Sequence, residues 1–212
     1  MQEIENIHKR IEAFQKTIGD CKGLCLHKDN KFNKQMSVVL KDLAYIEIII
    51  KRIESADPRE ATQLGLDLKS LYVFGRVFSE SLIYIASLFI KSSPKIDWSK
   101  IGEFIKTSKK NLDSEPREFK IFWEKNKEPI EKLYETFRYR NRVLHEKNSN
   151  CEWTFAWPGR SNLDNVFISN VPWKEDLKTK EEETLNARKI IQTLYSESCL
   201  IIDYLESIYK AP

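Results

Sequence analysis

The sequence predicts an all-α fold, a bundle of long helices. Three observations predict it. Only 6 Gly and 7 Pro occur in 212 residues, so turns are few and elements long. Apolar residues recur at steps of three and four in several separate stretches. Helix-start signals stand ahead of some of them. With 41% hydrophobic and 32% charged residues, the chain has the composition of one large globular domain spanning 1–212.

The first element is carried by Ile4, Ile7, Ile11, Phe14 and Ile18, one apolar stripe on a helix. Gly19-Asp20 and Gly23 stop it, and Cys21 to Asn30 reads as a polar loop. A second helix is expected from about Asn33 to Ser55, with Met36, Val39, Leu40, Leu43, Ile46, Ile50 and Ile53 buried. Ile48 and Ile49 widen that face. These two helices form an N-terminal elaboration over about 1–56.

Asp57-Pro58-Arg59-Glu60 reads as a helix start: Asp57 as cap, Pro58 in first position, Glu60 completing a capping box. The helix runs to about Lys91. Leu64, Leu68, Leu71, Gly75, Phe78, Leu82, Ile85 and Phe89 form its stripe, and from Leu71 onward the other faces are apolar too. This is the expected central helix. Gly75, which costs roughly 1 kcal/mol against Ala inside a helix, implies close approach of a neighbour. Arg76 and Glu80, four apart, can pair with each other or Glu80 can face the site helix.

Ser92-Ser93-Pro94 breaks the chain, and Asp97 caps a short helix with Trp98, Ile101, Phe104 and Ile105 inward. Ser114 and Pro116 open another, carrying Phe119, Ile121, Phe122 and Trp123. Pro129 is expected to kink or break it near Lys125–Glu128. A separate helix then runs from about Pro129 to Lys147, with Ile130, Leu133, Phe137 and Leu144 inward. Cys151-Glu152-Trp153-Thr154-Phe155-Ala156-Trp157 alternates, Pro158 to Asn162 is turn-rich, and Val166-Phe167-Ile168-Ser169 is β-prone. These predict a β-hairpin insertion over about 151–173. Its aromatic residues cap the bundle or stack on bases. Thr179-Lys180-Glu181-Glu182, a capping box, opens a last helix to about Lys210, with Leu185, Leu194, Ile201, Leu205 and Ile208 inward.

Charge and cysteine usage narrow the function classes. Thirty-five basic and 32 acidic residues leave a net charge of +3, so any nucleic-acid footprint is a local patch. Met1-Gln2-Glu3-Ile4-Glu5 lacks a signal-peptide apolar run, and Cys21, Cys25, Cys151 and Cys199 read as reduced thiols, so a cytoplasmic location is expected. Leu71 to Ile90 reaches membrane length. Arg76 and Glu80 would each cost roughly 2.5–3.5 kcal/mol at a bilayer centre, so a buried helix and no membrane partner are expected. Cys21, Cys25 and His27 lack a second pair at ligand spacing, so neither metal nor cofactor is expected.

The chemistry concentrates in Phe137-Arg138-Tyr139-Arg140-Asn141-Arg142-Val143-Leu144-His145-Glu146. On a helix Asn141 and His145 share a face, and Arg140 stands about 140° away around the axis, within reach of a curling side chain. Three side chains can therefore converge on one anion. Arg140 offers a fixed fork for phosphate, His145 a proton near neutral pH, and Asn141 a donor that orients either. Arg138, Arg142 and Lys147 add positive charge opposed locally only by Glu146. That set suits an RNA phosphodiester attacked by its own 2′-hydroxyl. One such motif stands in the chain, because His8 and His27 have no Arg five positions earlier.

Arg140-Asn141-Arg142-Val143-Leu144-His145 resembles the signature of the HEPN superfamily (higher eukaryotes and prokaryotes nucleotide-binding domains): Arg, a polar residue, a few positions, then His, late on a helix of an all-α bundle. The long apolar helix before it and the further helix after it are similar too, so the resemblance covers about Asp57 to the C-terminus. It implies a metal-independent ribonuclease leaving cyclic phosphate ends, acting as a homodimer with motifs facing each other, often as a toxin or anti-phage effector with an antitoxin partner. It further implies Arg140 on the scissile phosphate, His145 as general acid or base, and Asn141 positioning them. Non-catalytic relatives, which bind nucleotide, RNA or a partner protein, are the alternative.

Overall fold

The computed structural model describes residues 2–20, 30–57, 59–90, 97–106, 115–137, 161–169 and 184–210. Among them the helices are α1 (Gln2–Asp20), α2 (Asn30–Ser55), α3 (Ala61–Phe89), α4 (Trp98–Lys106), α5 (Arg117–Phe137), a single turn α6 (Asn162–Asn165) and α7 (Ala187–Lys210). The helical-bundle fold class is as expected.

The stripes read from the sequence build the core. Ile4, Ile7, Ile11, Phe14 and Ile18 of α1 are buried, as are Leu64, Leu68, Leu71, Phe78, Leu82, Ile85 and Phe89 of α3. α3 is the central helix, packed against α2, α5 and α7. It is also the one helix, among the described residues, long and apolar enough to cross a membrane; most of that stretch is buried in the bundle. Ring and charge contacts fix the directions. Tyr45 meets Phe74 and Arg52 meets Asp67, so α2 and α3 are antiparallel. Phe122 meets Tyr204 and Lys132 meets Glu197, so α5 and α7 are antiparallel. The Glu3 carboxylate acts on Arg188 and Arg10 pairs with Asp203, so α1 and α7 run parallel.

The structure corrects several expectations. Pro129 breaks nothing: it lies buried inside the continuous α5. Phe119, Phe122, Trp123, Ile130, Leu133 and Phe137 stay on one face through it. Burying that unbroken face on both sides outweighs the roughly 3 kcal/mol that an interior proline costs. α3 starts at Ala61, not Pro58. Asp57 instead closes a turn, its Oδ1 accepting from Arg59 N at 2.9 Å, while its O accepts from Glu60 N at 2.8 Å. Ile48 is 54% exposed, because it falls on the outer side of the α2–α3 pair, and Ile208 is 39% exposed near the end of α7.

Among the described residues no hairpin is formed within 151–173. Its first run lies outside the described residues. The second forms β1 (Phe167–Ser169), which pairs antiparallel with β2 (Thr184–Asn186) in the register Phe167↔Asn186, Ile168↔Leu185, Ser169↔Thr184. Leu185, expected inside the last helix, is thus in a strand. α7 begins at Ala187, where Asn186 Oδ1 accepts from Lys189 N at 2.7 Å as a cap and Ala187 N donates to Val166 O at 3.1 Å. The box at Thr179–Glu182 lies outside the described residues.

Ser161 opens α6 by accepting from Leu163 N at 3.2 Å. Asn162 then donates through Nδ2 to Ile53 O and Ala56 O, both at 2.9 Å. Those are carbonyls that the end of α2 leaves without helical donors, so α6 is pinned to α2.

Candidate functional site

In the sequence the motif follows directly on α5, which ends at Phe137. Along α5 five basic and five acidic residues interleave. Beyond Phe137 the balance changes. Arg138, Arg140, Arg142 and Lys147 face one acid, Glu146, an excess of 4 − 1 = 3 positive charges that equals the net charge of the whole chain. Arg138, Arg140, Asn141, Arg142, His145 and Lys147 lie outside the described residues. Phe137, directly before them, is described and fully buried.

Phe137 sits where two helices leave room for it. A Cβ built on Gly75 would stand 2.7 Å from Phe137 Cε1 and Cζ and 3.3 Å from Leu194 Cδ1. The ring therefore lies directly on the α3 backbone, beside α7. Tyr72, one turn earlier on α3, meets it edge-on at 5.3 Å between centroids. The close approach expected at Gly75 is thus made by Phe137, the last residue of α5.

A second contact set steadies the same stretch of α5. Asp97 caps α4 by accepting from Lys100 N at 2.9 Å. Trp98, the first residue of α4, stacks on Tyr134 at 5.1 Å and 26° between planes. The Tyr134 hydroxyl end lies against Gly102, where an added Cβ would stand 2.5 Å from its Oη. Arg76, which its spacing relates to Glu80, places its guanidinium 4.9 Å from the centroid of the Trp98 ring, a cation–π distance. Glu80 is half-buried one turn further along α3. Sequence reading found Gly75, Phe137 and Trp98 as core positions but missed Tyr72 and the Trp98–Tyr134 stack. The spacing of Tyr134 and Phe137, three apart on α5, is the signal that would have found Tyr134 as a packing position; Tyr72 comes from another helix and had no such signal.

On the α5–α7 seam, Lys132 bonds Glu128 at 3.0 Å and lies 3.6 Å from Glu197. The Glu128 hydrogen bond and the Glu197 charge raise its pKa. Among the described residues no group of three His, Cys, Asp or Glu side chains is placed to hold a metal ion. Cys21, Cys25 and His27 lie outside them.

No family profile, curated protein or solved structure matches this chain.

Proposed function

We propose that this chain is a metal-independent endoribonuclease of the HEPN type, working as a homodimer. The observation that carries the proposal is the Arg140-Asn141-x3-His145 motif with its local excess of positive charge, which follows the buried Phe137 in the sequence. The all-α architecture supports it, with a long buried helix before the motif and a further helix after it.

The chemistry follows from the residue types. The 2′-oxygen of RNA forms a bond to phosphorus while the bond to the 5′-oxygen breaks, leaving a cyclic phosphate. Arg140 holds the scissile phosphate and the charge that grows on it. His145 takes the 2′-hydroxyl proton or delivers one to the leaving 5′-oxygen, and Asn141 orients the pair. Proton transfer at both oxygens by histidine needs the His145 of a second chain, which is why the site is composite. Arg138, Arg142 and Lys147 track flanking phosphates, and Glu80 supports the framework. A toxin or anti-phage role, held in check by an antitoxin protein, belongs to the same reading.

The test is incubation of purified protein with RNA in excess chelator. Cleavage with cyclic phosphate ends is expected, and it is lost in Arg140→Ala and in His145→Ala. RNA bound but left uncut across varied substrates would replace this proposal with a silent binding module.

A further inference from the structure

We infer that the outer face of the α2–α3 pair is a self-association surface, on which a second copy of this chain docks antiparallel, with Lys69 of each copy opposite Glu80 of the other. The inference stands on these two helices and not on the RNA chemistry proposed above, so either can fail alone. Among the described residues seven large apolar side chains are exposed. Four of them, Val38, Tyr45 and Ile48 on α2 and Leu66 on α3, lie on this one pair. Single exposed apolar residues need no explanation, but a contiguous set does. On α3, Val73, Val77 and Tyr84 continue from Leu66 at steps of seven, four and seven, which keeps all four within about 40° around the helix. Val73, Val77 and Tyr84 are half-buried, and their row lies opposite the core stripe of Leu64, Leu71 and Leu82. Tyr45 meets Phe74 across the seam, with ring centroids 5.2 Å apart, so the rows of α2 and α3 join into one face.

Size and charge select the occupant. α2 has 26 residues and α3 has 29. At a rise of about 1.5 Å per residue and a width of about 10 Å per helix, the pair presents roughly 40 Å by 20 Å, about the 800 Å² that each partner contributes to a stable complex. Two charges, Lys69 and Glu80, stand along the apolar row of α3, and neither forms an ion pair with a described residue. They are three helical turns apart, so they project within about 20° of each other. An antiparallel two-fold axis passing midway between them, at Phe74 and Gly75, brings each Lys69 onto the Glu80 of the other copy. It also sets Val73 and Val77 at the centre and Leu66 near Tyr84 at both ends. Because Tyr45 lies against Phe74, the same axis brings Tyr45 to its own counterpart. An anionic membrane would answer Lys69 but repel Glu80; self-pairing answers both.

Sedimentation velocity over a dilution series compares wild type, Lys69→Glu, Glu80→Lys and the double swap Lys69→Glu/Glu80→Lys. Wild type is expected to dimerise reversibly. Each single reversal sets like charges opposite at two symmetric places and should raise the dimer Kd by about tenfold or more. The double swap restores opposite charges and should return Kd to within about threefold of wild type. A wild type that stays monomeric overturns the inference and leaves the face to a different protein or to a membrane. A dimer with the same Kd in all four proteins also overturns it, and assigns the homodimer proposed above to another face. If a reversal fails to fold by circular dichroism, Tyr45→Cys is read instead. A short bis-maleimide should join two such chains into a covalent dimer beyond any that wild type forms through its own 4 Cys, and no added cross-link overturns the proposed axis.

Discussion

Asp42 on α2 is 7% exposed, on the same helix as the buried Val39, Leu43 and Ile46, and its Oδ2 is buried with no hydrogen-bond partner among the described residues. Burial pushes its carboxyl up from the ordinary 3.8 to about 6, with Lys41 pulling back. A carboxyl whose pKa is raised by folding holds its proton more tightly in the folded chain than in the unfolded one. It therefore costs nothing below 3.8, costs progressively more between pH 4 and 6, and costs its full amount above 6. A rise of about two pH units corresponds to about 3 kcal/mol at pH 8 and about half a kcal/mol at pH 4. Asp42→Asn keeps the shape and removes the charge. It should stabilise the protein by up to about 3 kcal/mol at pH 8, with the gain fading as pH falls through 6. Urea melts of both proteins at pH 4.5, 6 and 8 measure this. An equal gain at all three pH values, or none at pH 8, would refute a buried charge as the cause.

Two further outcomes are expected. Asn162→Ala removes two donated bonds to the end of α2 and should cost about 1–3 kcal/mol in thermal or urea melts. Asn162→Asp, equal in size but without a donor, should do no better. Mixing an Arg140→Ala chain with a His145→Ala chain should restore part of the RNA cleavage if one site draws on both subunits; verified heterodimers that stay inactive would assign each site to a single chain.

How much was legible in the sequence follows from the range of the interactions involved. The stripes of α1 and α3, the cap at Asp97 and the tight approach at Gly75 are local consequences of helix periodicity and backbone access. Pro129 misled because an intrinsic penalty was weighed without the phase of the stripe, which passes through it unchanged from Phe119 to Phe137. That signal was present in the sequence. The pairing of Phe167–Ser169 with Thr184–Asn186 was not, because three-residue strands bear little alternation and their register depends on distant partners. The same holds for Asn162, whose acceptors lie more than a hundred residues earlier. At the candidate site the residue types spoke locally through Arg140-Asn141-x3-His145, whereas Tyr72 and Leu194 around Phe137 arrive from separate helices.

The parallel pairing of α1 with α7 bears on how the chain comes to be made. The two helices are far apart in the sequence, and Arg10 cannot find Asp203 until α7 has been synthesised. Until then Ile4, Ile7, Ile11, Phe14 and Ile18 lack their C-terminal cover and offer a sticky face to anything nearby. A ribosome that stalls before Ala187 would release a product with that face uncovered, so premature termination here should yield aggregates or chaperone-bound fragments rather than a smaller working protein.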